Sequence, residues 1–262
     1  NNKLPNIGLA VKFSARDEDC VDGETEVLTP SGWVKIQDYN TNTTLAQYDT
    51  NTGEVSFVNP SRKIEKHFEG EMISFKDGKG NFDQLVTPNH RVVFKTADKP
   101  DYAFKEAHKF KPHCGNFIPL AGNIVGDVVI STEDRLKIAI QADGFVSKRY
   151  DGSRCGTFPV SFTLSKERKI ERLRWILSEL GLTHTEKCVG TTTENSKPRL
   201  EIKFNLDVDK FCQDSLKDMS WIDLTSTSSD WCSSFLDELV LWDGHIVKDS
   251  PNDLTYFSST NK

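Results

Sequence analysis

A few residues in this chain have the types and spacing to do chemistry. Cys20 stands directly after the acidic run Asp17, Glu18, Asp19 and before a strand-like stretch, in "DEDCVDGETEVLTPSGWVKI". A cysteine kept for packing sits within an apolar run; this one does not. Once activated, a thiol attacks a carbonyl carbon and forms a thioester. It then needs a proton shuttle and donors aimed at the developing oxyanion. One short motif offers both, "LVTPNHRVVF" (85–94), with Thr87 and His90 three apart across a Pro-Asn turn that directs both side chains towards one point. A histidine there can protonate a leaving nitrogen, and a threonine hydroxyl can polarise the same amide. Taken alone, TPNH is more often a capped turn than a catalytic pair.

Two aspartates form the second candidate set. Asp143 ends "LKIAIQADG" and Asp243 ends "LDELVLWDG", 100 residues further on. Most Asp-Gly pairs are turns, but each of these closes a helical pattern. A carboxylate at a helix C-terminus faces the negative end of the dipole, at a cost of roughly 0.3–1 kcal/mol, and two such ends brought together repel. A shared divalent cation removes both penalties. It also supplies chemistry, since a metal held by carboxylates activates water for displacement at phosphorus. Glycine after each aspartate suits a left-handed helix stop. Lys203, in "RLEIKF", is a candidate phosphate contact beside the plainer reading of a solvated strand lysine. "HKFKPHC" (108–114) clusters two histidines and a cysteine without a second ligand pair at metal spacing, so it reads as a loop.

The elements that must position these residues fall into two textures. Residues 20–121 alternate short strand-like pieces ("EVLT", "WVKI", "TLAQYD", "EVSFV", "EMISFKD", "QLVTP", "RVVFK") with turn signals at Pro30, Ser31 and Gly32, at Asn51, Thr52 and Gly53, at Asp77 and Gly78, and at Pro88 and Asn89. No helical period runs there. From about residue 126 helices appear: 133–144, 230–244 and, strongest, 167–181, where Ile170, Leu173, Ile176, Leu177 and Leu180 make one stripe. Ser165 is the expected cap and Gly181 the stop, and the basic residues Lys166, Arg168, Lys169, Arg172 and Arg174 read as a solvated face. A strand is expected over 199–206. The second texture is α+β, with the boundary near 121–130.

Composition narrows the class. The 262 residues are 36% hydrophobic and 27% charged, with a net charge of −6. There is no run of apolar residues long enough to span a bilayer and no secretory signal pattern. Six scattered cysteines without a CxxC pair argue against a zinc ribbon or a small disulfide scaffold. The acidic balance does not advertise a nucleic-acid binder, though a local basic face is compatible with it.

"CVDGETEVLTPSGWVKIQDY" resembles the first splicing block of inteins, and "LVTPNHRVVF", about 65 residues on, resembles the second. Order, interval and β texture fit a HINT-fold splicing domain, a β horseshoe. The resemblance implies that residues 1–19 are the end of an N-extein and residues 20–125 the N-terminal splicing domain. It further implies that the Cys20 thiol attacks the Asp19 carbonyl, and that Thr87 and His90 polarise and strain that scissile bond. Asp19 is an unusual acyl donor, whose carboxylate would slow the attack or promote side cleavage. The two Asp-Gly helices resemble LAGLIDADG homing endonucleases, which interrupt inteins at this position. That likeness implies αββαββα units over 126–262, with sheets forming a saddle on duplex DNA, and Asp143 and Asp243 as carboxylates for Mg²⁺ or a similar cation. Glu238 and Trp242 depart from the small residues that family prefers where its helices cross.

The expected function is therefore autocatalytic protein splicing, without a cofactor, joined to metal-dependent cleavage of double-stranded DNA, the intein-free allele of the host gene. The alternative is an autoprocessing HINT domain whose endonuclease only binds DNA. No late histidine, terminal asparagine and following Cys, Ser or Thr is present, so the chain is expected to be the N-terminal part of a longer or split precursor, its partners being the exteins and a C-terminal intein segment. The expected location is cytoplasmic, with no membrane partner.

Overall fold

Short alternations between turn residues set the first half of the molecule. The structure, a computed structural model, describes residues 10–11, 20–76, 82–111, 115–147, 156–190, 198–208, 210–211, 216–217, 219–246 and 255–257. It is mostly β, with three α-helices among the described residues. The chain divides into two compact units. Residues 1–126 with 223–229 make the first, and residues 127–222 with 230–262 make the second.

The first unit holds β1 (Ala10–Val11), β2 (Glu26–Thr29), β3 (Gly32–Lys35), β4 (Leu45–Tyr48), β5 (Glu54–Val58), β6 (Ile73–Lys76), β7 (Asp83–Val86), β8 (Arg91–Thr96), β9 (Ala103–Glu106), β10 (Asn116–Phe117) and β11 (Asn123–Ile124). The only helical pieces described in it before residue 126 are 3₁₀ turns at Ile36–Asp38 and Ala107–Lys109. The sheets run β1-β4-β5-β11 and β10-β8-β9, with separate hairpins β2-β3 and β6-β7. The turn signals act as expected at two glycines. Gly32 closes β2-β3 at φ +112° and Gly53 turns β4 into β5 at φ +75°, conformations open to glycine at little cost. Asp77 and Gly78 lie outside the described residues. The core is small: Phe75, Val86, Val92, Ala107 and Phe110, with Val21, Ile73, Phe82, Phe94 and Ile118 packed around it.

The second unit begins with α1 (Thr132–Asp143), β12 (Gly144–Val146), β13 (Thr157–Leu164), α2 (Glu167–Glu179), β14 (His184–Val189) and β15 (Arg199–Asp207). Then come α3 (Ser229–Asp243, its first residue counted with the first unit), β16 (Gly244–Ile246) and β17 (Thr255–Phe257). The four antiparallel strands stand in the order β12-β13-β15-β14. β16 pairs with β17 as β12 pairs with β13. One pattern thus occurs twice: a helix, an aspartate, a glycine opening a strand, and an antiparallel partner strand.

Period-2 alternation places Phe158, Val160, Phe162 and Leu164 of β13 and Ile202, Phe204 and Leu206 of β15 against the helices. On α2 the stripe Ile170, Leu173, Ile176 and Leu177 is buried, with Leu180 partly so. Each such side chain contributes about 1.5–3 kcal/mol. Gly181 stops the helix at φ +63°. Ser131 caps α1 through a reciprocal capping box with Asp134.

Three details differ from expectation. Ser165 does not cap α2: the chain stays extended through Lys166, which precedes the first helical turn and makes no side-chain cap bond. Gly144 is not a left-handed stop, since its φ is −76°, and Gly244 is not among the positive-φ glycines. Close approach explains both glycines instead. A Cβ on Gly144 would lie 2.7 Å from the Ile140 Cα, and one on Gly244 2.4 Å from the Val240 Cα. Third, the basic face of α2 is not simply solvated, as the site geometry makes plain.

Candidate functional site

In the first unit, Val21 and Val86 form an isolated antiparallel bridge. The Asp22 N–H donates to the Leu85 carbonyl and the Thr87 N–H to the Cys20 carbonyl, both at 3.0 Å. This register sets Cys20 directly against Thr87 although 67 residues separate them. The Cys20 N–H donates to Thr87 Oγ1 at 3.2 Å, and the Thr87 hydroxyl donates back to the Cys20 carbonyl at 3.3 Å. Thr87 is buried, whereas Cys20 is half-buried with a free thiol. A threonine hydroxyl therefore grips the peptide nitrogen of the candidate nucleophile. Asp19, on the other side of that peptide bond, lies outside the described residues.

The TPNH turn is fixed from behind. The His90 N–H donates to the Thr87 carbonyl at 3.0 Å, and the His90 carbonyl accepts from Ala107 N at 2.7 Å. The His90 ring is half-buried with its Nδ1 enclosed. Pro88 offers its carbonyl to the His108 backbone N–H at 2.9 Å and to the His108 ring Nδ1 at 2.8 Å. A carbonyl only accepts, so Nδ1 carries the proton there. His108 belongs to the "HKFKPHC" loop, and its positioning role was invisible in the sequence. His113 and Cys114 lie outside the described residues. Downstream of Cys20, Asp22 Oδ1 accepts from Thr25 N at 3.1 Å and Thr25 Oγ1 at 2.6 Å, shaping the spacer before β2.

In the second unit, Asp143 and Asp243 meet at one atom. The Lys169 ammonium donates to Asp143 Oδ2 and, at 3.3 Å, to Asp243 Oδ1. The Lys169 side chain is 8% exposed, those of the aspartates 25% and 34%. The electrostatic penalty that the sequence assigns to a divalent ion is thus met by protein cations. Lys169 joins the carboxylates. The Lys217 ammonium donates to the Ile140 carbonyl at 2.7 Å and the Gln141 carbonyl at 3.0 Å, at the end of α1. Arg168 donates to the Leu241 carbonyl near the end of α3. Burial pushes the Lys217 pKa down, against the opposite pull of Asp143 and Asp243.

Glu238 and Trp242, the two departures from small residues, are both buried. The Glu238 carboxylate accepts from Arg172 Nε at 3.0 Å and from Arg172 Nη2, from Arg135 Nη1 at 2.6 Å and from Trp242 Nε1 at 3.1 Å. It therefore links α1, α2 and α3. Burial pushes its pKa up, but the hydrogen bonds from Arg172 and Arg135 and the charge of Arg172 outweigh that and hold it below the ordinary glutamate range. Lys203 stands on β15, its side chain 56% exposed, in an ion pair with Glu201 at 2.9 Å.

Among the described residues no group of three or more His, Cys, Asp or Glu side chains converges as a full protein cage for a metal needs. Two carboxylates converging on one cationic atom do fit Mg²⁺, which is commonly held by one or two carboxylates together with water and substrate phosphates. No helix of the described residues is long and apolar enough to cross a membrane.

No family model matches the sequence. The chain is 29% identical over 290 aligned residues to the ribonucleoside-diphosphate reductase subunit beta of Aquifex aeolicus, an alignment spanning 99% of this chain and 40% of that protein. It is 36% identical over 80 residues to the ATP-dependent Clp protease proteolytic subunit of Chlamydomonas moewusii, 30% of this chain and 8% of that protein. The chain therefore spans less than half the length of either curated relative. Among solved structures, a glutathione-linked, splice-inactive variant of the AceL NrdHF class 3 split intein is similar over 38% of this chain and 61% of that one, at 23% identity and a TM-score of 0.30.

Proposed function

We propose that the first unit is the N-terminal splicing half of an intein and that its chemistry starts at Cys20. The observation that carries this reading is the Cys20 N–H held by Thr87 Oγ1 at 3.2 Å across 67 residues of sequence. In the proposed step the Cys20 sulfur attacks the Asp19 carbonyl carbon. A carbon–sulfur bond forms, the carbon–nitrogen bond to Cys20 breaks, and the thiol proton ends on the liberated amine. Thr87 holds the nitrogen in place, and His90 is the shuttle that delivers the proton. The identities of the relatives support the reading. A reductase subunit and a protease subunit have unrelated activities, and similarity to both is what an element inserted into different hosts produces. The alignment to the reductase subunit takes in nearly the whole chain, so a reductase beta subunit is the candidate host for residues 1–19. The test is thiolysis: dithiothreitol added to the folded precursor releases everything upstream of Cys20, and Cys20→Ala abolishes the release. A folded precursor that yields nothing overturns the reading.

For the second unit we propose a LAGLIDADG-type homing endonuclease acting on double-stranded DNA. Its support is the convergence of two helix-end carboxylates 100 residues apart on one ammonium, together with the repeated helix-Asp-Gly-strand pattern. Asp143 and Asp243 would hold Mg²⁺, which would polarise a phosphate and activate water. Lys169 orients the carboxylates, Lys169 and Lys217 together neutralise them, and Lys203 contacts a phosphate from the sheet. Cutting of the intein-free host gene that requires Mg²⁺ and is lost in Asp143→Asn is the expected result. Binding of that DNA without cutting at any Mg²⁺ concentration would make the unit a DNA-binding remnant.

A further inference from the structure

Lys169 sits where a cation would sit. Its ammonium is buried, it touches one oxygen of each aspartate, and it reaches them from the first turn of α2 on a flexible four-carbon stem. We propose that Lys169 is an exchangeable counter-ion: it holds the two carboxylates together and competes with the divalent cation for the same oxygens. The inference rests on the reading of Asp143 and Asp243 as cation ligands and adds to it a control of when the cation binds.

The charges support this. Two carboxylates carry −2, and Lys169 with Lys217, whose charge also feels both aspartates, carries +2. These two ammonium groups already balance the carboxylates, and the Arg168 guanidinium on the Leu241 carbonyl adds a further positive charge nearby, so a divalent cation gains little from entering while both ammonium groups remain. If Lys169 swings out, the carboxylates take the cation and the expelled ammonium needs an anion. A phosphate diester meets that need and also offsets the excess positive charge. Cation and phosphate therefore favour each other's binding, and the coupling is reciprocal. Lys169 can make this exchange and Lys217 cannot so readily, because Lys217 would have to give up its bonds to two backbone carbonyls at 2.7 and 3.0 Å.

The experiment is calorimetric titration of Ca²⁺ into the full chain without DNA, for the wild type, Lys169→Met, Asp143→Asn and the double variant. Lys169→Met is expected to bind Ca²⁺ at least tenfold more tightly than wild type, and the gain is expected to vanish in the double variant. Equal or weaker binding in Lys169→Met, with binding still lost in Asp143→Asn, overturns the counter-ion role and leaves the ligand assignment standing. Ca²⁺ uptake indifferent to Asp143→Asn sinks the ligand assignment and this inference with it, and so does no uptake by either protein. Should Lys169→Met fail to fold, the wild type decides. The lysine side-chain nitrogen resonance of Lys169 is expected to shift in step with Ca²⁺, and a resonance that stays fixed while Ca²⁺ binds overturns the proposal.

Discussion

Thr87 is a small side chain in a two-way bond. Its oxygen accepts from the Cys20 amide and its proton points at the Cys20 carbonyl. Serine keeps both bonds and valine keeps only the shape. Thr87→Val is therefore expected to slow dithiothreitol release upstream of Cys20 by about 10²-fold or more, the scale of losing one oriented polar contact at a reacting amide, while Thr87→Ser retains most of the rate; mass spectrometry of the released piece against time measures both. The Thr87 half of the motif was legible, because the Pro-Asn turn that follows it constrains where its side chain can go. Lys169 was not legible as a site residue. A lysine in the first turn of an amphipathic helix looks the same in sequence whether it faces water or two carboxylates, and the partners that decide it lie 26 and 74 residues away. His108 was missed for the same reason, since its partner is a backbone carbonyl, which leaves no mark in the sequence.

At the scale of elements, the apolar stripe of α2 and the alternation of β13 and β15 were readable because burial repeats with the element's own period. The glycines after the aspartates were read correctly as needed but for the wrong cause. A left-handed stop and a close approach both ask for glycine, and only the backbone distances separate them. Gly244→Ala forces a Cβ to within 2.4 Å of the Val240 Cα and is expected to cost about 1–3 kcal/mol as an overpacking change, read as a shift in the urea midpoint at unchanged slope. The α1–α2–α3 junction depends on Glu238. Removing one guanidinium leaves a buried carboxylate short of its partners, so Arg172→Met is expected to destabilise the second unit by about 3–5 kcal/mol. Because the folded Glu238 pKa is depressed, its contribution is fully present above the ordinary glutamate range and is lost as pH falls through the lower folded value. Acid titration of unfolding in wild type and Glu238→Gln checks this, the variant showing the shallower loss of stability below that range.

Across the whole molecule, the change of texture near residue 126 was visible because alternating strands give way to helical spacing. The return of residues 223–229 to the first unit was not. That segment is rich in Ser and Thr and reads as a loop. Its attachment, the Ile124 N–H donating to Ser229 Oγ at 2.9 Å, joins residues 105 apart. The residues of the two proposed sites nevertheless separate cleanly: Cys20, Thr87 and His90 belong to the first unit, and Asp143, Lys169 and Asp243 to the second. Each unit also has its own core. The two chemistries are therefore expected to be separable by single substitutions in the intact chain. Cys20→Ala should abolish thiol-induced release and leave Ca²⁺ titration and DNA cutting unchanged. Asp143→Asn should do the reverse, keeping the release rate within about twofold of wild type, since sites with no shared partners add nearly independently. Parallel thiolysis and nuclease assays on the two variants decide it, and loss of both activities in either one would mean that the units depend on each other for their chemistry.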